Sequence, residues 1–493
     1  MRGMVANLDL NTPTAAADWI ASGVAAHVQA DFPEAVRCFR EATDLDPTSA
    51  EAWTNLGLSL ACCGDADTAL ACQREALRLD PDLADAHNNI GVLHCERGHL
   101  AEAENCFHAV LRRRPEFPNA RINLGVVHQA MGRLADAEQA YRDALPTVAA
   151  PATALNNLGM ALLEQGRVAE AESVLRDALL TAPDSPNPQV NLGLVTLLNG
   201  RFDEGWRLYE SRWRVDPTLS ASGPIDAPRW TGEESLFGKT ILLHAEQGFG
   251  DTLQFCRYAP LVAALGARVI LAVQPSMARL LGVLNGVHQV VVQGGPPPVV
   301  DFHCPLMSLP LAFGTRVETI PAAVPYLRAD AGDVARWAER LAGLSGSRVG
   351  LVWAGSDRRG QAHAAAINRR RSIPFATVAP LLDSPDCAFV SLQHGTPAPD
   401  ARLFDPGSAL TDFAETAALI ANLDLVIAVD TAVAHLAGAL GKPVWLLNRF
   451  DTCWRWLRDR DDSPWYPTLR QFRQDAPNDW APVIARVAEA LLD

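Results

Sequence analysis

An all-α solenoid joined to an α/β half is the fold class this chain predicts, and three observations predict it. Gly57, Gly91, Gly125, Gly159 and Gly193 recur at a constant interval of 34 residues, each preceded by Asn and an aliphatic residue. From Lys239 onward, short apolar runs alternate with stretches of helical spacing. The 493 residues are 48% hydrophobic and 20% charged, which is long for one domain and comfortable for three.

The solenoid comes first. In Glu51–Leu60 and Thr68–Leu79 the apolar positions return at helical spacing. Gly64, Gly98, Gly132, Gly166 and Gly200 keep the same interval and fall between the paired helices, where a tight turn suits a residue without a Cβ. Pro47, Pro81, Pro115, Pro183 and Pro217 fall where the second helix must end, with Ala149 the one lapse. One such helix pair cannot bury its apolar face alone, so neighbours must stack. About six units run from Ala15 to Pro217. The first has Ala30 in place of the turn Gly, and the last carries Trp206, Tyr209 and Trp213 in its second helix. This 34-residue pattern resembles the tetratricopeptide repeat. The resemblance implies a concave groove for a protein or peptide; self-association into a homo-oligomer is the alternative use.

Bulk properties narrow the rest. A formal net charge of −15 argues against nucleic-acid binding. No stretch reaches the length of a membrane span, and Met1–Trp19 lacks the apolar core of a signal peptide. The ten cysteines include no CxxC pair; Cys38, Cys72 and Cys106 share one repeat position and read as small packing residues. A reducing cytoplasm is the compartment this usage implies.

The second half reads in order. Thr240–Ala245 is a strand, Thr252–Leu265 a helix, Arg268–Val273 a strand, Met277–Leu284 a helix and Gln289–Val292 a strand. The rhythm restarts with strand Arg348–Trp353, helix Phe375–Leu382, strand Ala388–Leu392 and helix Ala414–Leu423. Strand Leu425–Val429, helix Ala432–Leu440 and strand Pro443–Leu447 complete it. The expected organisation is an N-terminal segment at 1–14, the solenoid at 15–218, a linker at 219–238, and α/β domains at 239–330 and 345–493. Two Rossmann-like domains facing a cleft follow, with ligands beyond the carboxyl ends of the strands.

Candidate site residues are therefore sought in those loops. In Glu246–Thr252, Gly248 and Gly250 let a backbone approach a ligand, and Asp251 reads either as a helix N-cap or as a general base for an acceptor hydroxyl. Asp430 and Thr431 follow an apolar strand and open a helix whose N-terminus suits an anion; His435 lies one turn on. Asn368, Arg371 and Ser372 close an arginine-rich loop on the ligand side of the second sheet, with Gln393 at the end of the next strand. Arg455 sits between Trp454 and Trp456, near Trp465 and Tyr466, which suits a base or sugar pocket and equally suits buried packing. The acidic Asp459–Asp462 lies in a charged loop rather than after a strand, so no metal and no other cofactor is expected.

Together QGFGDTLQF (247–255), NRRRSIP (368–374), SLQHG (391–395), LDLVIAVDTAVAHLAGALGKPVW (423–445) and DSPWYPTLRQFRQ (462–474) resemble glycosyltransferase family nine, the heptosyltransferases of GT-B fold. The resemblance covers roughly residues 228 to 480. It implies a metal-independent transferase that moves a sugar from a nucleotide-sugar donor, with Asp251 as base and Asp430 and Thr431 on the donor phosphate or ribose. Ala364–Ala366 depart from the polar stretch expected there. Attached repeats are similar to those of O-linked N-acetylglucosamine transferases and flagellin-modifying enzymes, which implies a protein acceptor held by the repeats. A glycan acceptor within an assembly complex, and a non-catalytic scaffold, are the alternatives.

Overall fold

The computed structural model describes residues 15–216, 225–355 and 362–492. The expected segment 1–14, Pro217, most of the loop before Ala362 and the first part of the linker lie outside them. Apart from Gly360–Ala362, the chain divides into two compact units, one running to Ala161 and one from Leu162 on.

The first unit is a stack of antiparallel helix pairs, such as Ala50–Cys62 with Ala66–Leu79 and Ala84–Glu96 with Leu100–Arg113. Close approach explains the recurrent helix glycine: a Cβ on Gly91 would lie 2.6 Å from the Phe107 ring. The turn glycines adopt the left-handed backbone, Gly64 at φ 84°. Ala30, the substitute in the first unit, adopts it as well, at φ 59°, and bears the strain that its Cβ brings. Asp31 and Asp65 cap the helices that follow, each accepting a backbone N–H. Cys38 and Cys72 are buried in these cores, and all ten cysteines are free.

The second unit holds two parallel sheets. The first comprises β1 (Thr240–His244), β2 (Arg268–Val273), β3 (Val287–Val292) and β4 (Phe302–Pro305), in the order β3-β2-β1-β4. The second comprises β5 (Ser347–Val352), β6 (Cys387–Ser391), β7 (Leu425–Val429), β8 (Val444–Asn448) and β9 (Leu469–Arg473), in the order β6-β5-β7-β8-β9. Both orders reverse direction once, between β1 and β4 and between β5 and β7, and loops at such reversals splay apart to leave a crevice. The unit also includes the last repeats. Val168, Leu175, Leu192, Phe202, Trp206 and Tyr209 belong to the same apolar core as the buried faces of both sheets.

Several expectations are corrected. The helix read as Thr252–Leu265 is two helices, Phe249–Phe255 and Ala259–Ala264, joined by a 3-10 turn. Pro260 has no N–H to continue the first and suits the opening turn of the second. The helix read as Met277–Leu284 shrinks to Ala278–Leu281. Strands β4 and β9 were not expected, since Phe302–Pro305 is short and Leu469–Arg473 is mostly polar. The arginine cluster is not a loop: Arg369–Arg371 form the last turn of helix Ala362–Arg371, where the negative helix end favours cations.

Candidate functional site

At the carboxyl end of the first sheet, β1 runs into the loop Ala245–Gly248 and then into helix Phe249–Phe255. Gly248, not Asp251, is the N-cap of that helix; Asp251 occupies its first turn, and its Oδ2 accepts the Gly248 N–H at 2.9 Å. The other carboxylate oxygen is ion-paired with Arg455. Arg455 also donates from Nε to Gln254 Oε1 at 2.9 Å and lies over the Trp454 ring at 4.3 Å. Burial works against the Arg455 charge, yet the Asp251 carboxylate outweighs it and holds the guanidinium more basic than usual. The aromatic residues around Arg455 are packing residues: Trp456, Trp465 and Tyr466 are fully buried in the common core.

At the carboxyl end of the second sheet, the loop after β5 and the end of β7 meet at the reversal of strand order. Gly355 is boxed in by the Asn368 amide and the Arg371 guanidinium, which a Cβ there would push aside. Ser372 Oγ accepts the Gly355 N–H at 3.2 Å, and Arg371 donates to Asn368 Oδ1 at 3.1 Å. Gln393 pairs with the Ala354 backbone in both senses, accepting its N–H at 3.1 Å and donating to its carbonyl at 3.0 Å. Arg371 then bridges to β7, donating to the Asp430 carbonyl at 2.9 Å. Thr431 is the N-cap of helix Ala432–Ala439, but its Oγ1 donates to the Val429 carbonyl at 3.2 Å and makes no cap bond to the helix N–H groups. Arg370 faces elsewhere, donating to Glu164 Oε2 at 2.9 Å and lying 3.0 Å from Asp451.

One helix connects the two clusters. Ala432–Ala439 begins beside Asp430 and carries His435 to the first domain, where a Cβ on Gly250 would lie 2.9 Å from the imidazole. His435 Nδ1 is 2.9 Å from the Tyr466 hydroxyl, and its ring stacks on Trp456 with centroids 5.1 Å apart. Burial drives His435 down to about 4, with the Asp430 carboxylate opposing. At neutral pH it is an uncharged packing group between the two sheets' helices, not a cation. Gly248, Gly250, Asp251, His435 and Arg455 thus gather in one cluster, and Asn368, Arg371, Ser372, Gln393, Asp430 and Thr431 in the other.

A pH prediction follows. An unfolded His takes up a proton near 6.5, whereas folded His435 resists protonation down to about 4. The stability contributed by the neutral ring is complete above pH 6.5 and is lost as pH falls toward 4, a change of about 3 kcal/mol. His244, buried beside His303 and driven down to about 3, acts in the same direction. Thermal midpoints measured from pH 7 to 4.5 should fall for the native chain, and less steeply for His435→Gln. Equal slopes would contradict the assignment.

The sequence singles out neither Glu246 nor Arg212, and it marks Tyr209 and Tyr466 only as parts of aromatic clusters. The signal for Tyr209 was the unusual aromatic content of the last repeat. Glu246 and Arg212 are ordinary charged residues whose pairing only the fold creates. In the first unit, Glu104, His108 and His128 converge, but Arg133 already donates to the same Glu104 oxygen at 2.7 Å, which makes the group an ion-pair cluster.

The tetratricopeptide repeat profile matches residues 38–71, 88–154, 129–188 and 156–212. The profile of glycosyltransferase family 9 (heptosyltransferase) matches residues 408–447, the segment that contains β7, Asp430, Thr431 and the helix bearing His435. Protein FlbA of Caulobacter vibrioides is 31% identical over 323 residues, which cover 59% of this chain and 52% of FlbA. The chain therefore spans about half the length of this curated relative. Among solved structures, the APC/C heterotetramer Cut9–Hcn1 is 22% identical over 42% of this chain and 41% of its own, with a TM-score of 0.39. Pseudomonas aeruginosa PilF is 19% identical over 41% of this chain and 92% of its own, with a TM-score of 0.36. No helix among the described residues is long and apolar enough to cross a membrane. Tetratricopeptide repeat profiles thus match the N-terminal region, and the glycosyltransferase family 9 profile matches one segment toward the C-terminus.

Proposed function

We propose that this protein is a metal-independent glycosyltransferase of GT-B type, which moves a sugar from a nucleotide-sugar to a hydroxyl of a protein held by the repeats. The observation that carries the reading is the junction of β5 and β7. There a helix N-terminus, the Arg371 guanidinium and the Asp430–Thr431 pair converge at a reversal of strand order, with the helix and Asp430–Thr431 inside the segment that matches the transferase family.

In this reading the donor diphosphate lies against the N-terminus of helix Ala432–Ala439, where unpaired N–H groups and Arg371 meet its charge. Asp430 accepts a ribose hydroxyl, and Asn368, Ser372 and Gln393 hold the Gly355 loop in place for that contact. Asp251 takes the proton of the acceptor hydroxyl as the new glycosidic bond forms and the nucleoside diphosphate leaves. A single displacement with one base inverts the anomeric carbon. Closure of the two α/β domains would exclude water that otherwise hydrolyses the donor.

The test is direct. Purified protein is incubated with a panel of nucleotide-sugars and candidate acceptor proteins, and nucleoside diphosphate release and sugar incorporation are followed together. Acceptor-dependent release from one donor class supports the reading. Binding partners without any release would move the protein to the scaffold class.

A further inference from the structure

The loop that leads into the helix bearing Asp251 is gripped by the last repeat at two consecutive residues, Glu246 and Gln247. Arg212, at the start of the final repeat helix Arg212–Val215, makes a two-pronged bond to Glu246: Nε to Oε2 at 3.1 Å and Nη2 to Oε1 at 2.9 Å. Both side chains are sealed from solvent, at 3% and 1% exposure, so solvent does not screen the pair. Arg212 also donates to Ser308 Oγ at 2.8 Å and to Glu210 Oε1 at 2.6 Å, and lies over the Tyr209 and Trp213 rings. Glu246 Oε1 further accepts the Met307 N–H at 3.1 Å, which ties the loop after β1 to the residues after β4. The next residue, Gln247, donates from Nε2 to the Tyr209 hydroxyl at 3.0 Å. The next, Gly248, donates its N–H to Asp251 itself.

We propose that Arg212 and Tyr209 are positioning residues: the terminal repeat fixes the Glu246–Gln247–Gly248 loop and thereby the Asp251 carboxylate. Neither residue touches the reacting groups. Both act through the loop, and the last repeat becomes a structural part of the acceptor side. The proposal rests on the reading of Asp251 as the base. Its chemistry explains why the last repeat carries Arg212 where the repeats before it carry Ala42, Ala76, Val110, Ala144 and Ala178. A guanidinium fork matches a carboxylate in two places, and an ammonium at the same site cannot. Misplacing a catalytic group by about 1 Å costs roughly a hundredfold in rate, so a modest slackening of this grip has a measurable effect.

The experiment uses the full chain with Tyr209→Phe, which removes only the hydroxyl, and Arg212→Lys, which keeps the charge and loses the fork. Amide hydrogen exchange is followed across the chain, and transfer kinetics are measured with the donor found above. The expected result is at least about tenfold faster exchange confined to residues 245–251, with kcat lowered about tenfold or more and donor KM unchanged. Unchanged exchange in this loop in both variants overturns the proposal. Exchange that quickens throughout the core of both variants also overturns it, since it marks the pair as general scaffolding. If the native chain transfers no sugar at all, the reading of Asp251 as a base fails, and the exchange measurement still decides whether the repeat holds the loop.

Discussion

Asp251→Asn should lower turnover by about a hundredfold to ten-thousandfold while leaving nucleotide affinity near its native value. The side chain keeps its size, and the amide oxygen can still accept the Gly248 N–H, so the helix start survives. What is lost is the ability to take a proton. The amide nitrogen also turns a donor toward Arg455, which replaces an ion pair with two facing donors. The nucleotide, by contrast, belongs to the second sheet, at Asp430, Thr431 and Arg371, on a different loop cluster. Steady-state rates combined with calorimetric titration of nucleotide separate the two effects. Turnover within twofold of the native protein would remove Asp251 from the mechanism.

The largest effect on stability is expected from Trp206→Ala, at about 3 to 5 kcal/mol. Trp206 comes from the last repeat, yet it is 2% exposed and packs edge-on against Phe255 of the first α/β domain and Trp454 of the second, at centroid distances of 6.3 and 5.1 Å. Its Nε1 donates to the Thr315 carbonyl at 3.2 Å. Truncation opens a cavity where three structural elements meet and leaves a buried carbonyl without its partner. Denaturant unfolding followed by circular dichroism should show the midpoint falling sharply. A loss below about 1 kcal/mol would mean that the last repeat merely adjoins the α/β half instead of sharing its core.

The solenoid was legible in the sequence because its signal is repeated: the Gly at the helix turn recurs wherever the chain needs a left-handed backbone, and even Ala30 obeys it. Strands buried on both faces, such as Leu425–Val429, were legible as continuous apolar runs. The edge strand β9 was not, because three of the five residues of Leu469–Arg473 are polar, and β8 is the strand it pairs with. The Gly355 brace was half visible. Asn368, Arg371, Ser372 and Gln393 stood out by type and place, while their bonds to one another depend on a helix that ends at Arg371, which the sequence did not announce. His435 illustrates a different limit. Its position one turn after Thr431 suggested a phosphate contact, but burial against Trp456 and Tyr466 makes it neutral. The partnership of Arg212 with Glu246 joins residues 34 positions apart in the chain, across two kinds of structure, and no local pattern encodes it.

Calorimetric titration of ADP, UDP, GDP and CMP into the native protein and into Arg371→Ala tests the central claim most directly. The account predicts saturable binding of one nucleotide by the native protein, weakened about tenfold or more when the guanidinium is removed from the β5–β7 junction. Absence of binding to all four, or equal affinity in the variant, would contradict the assignment of that junction as the donor site.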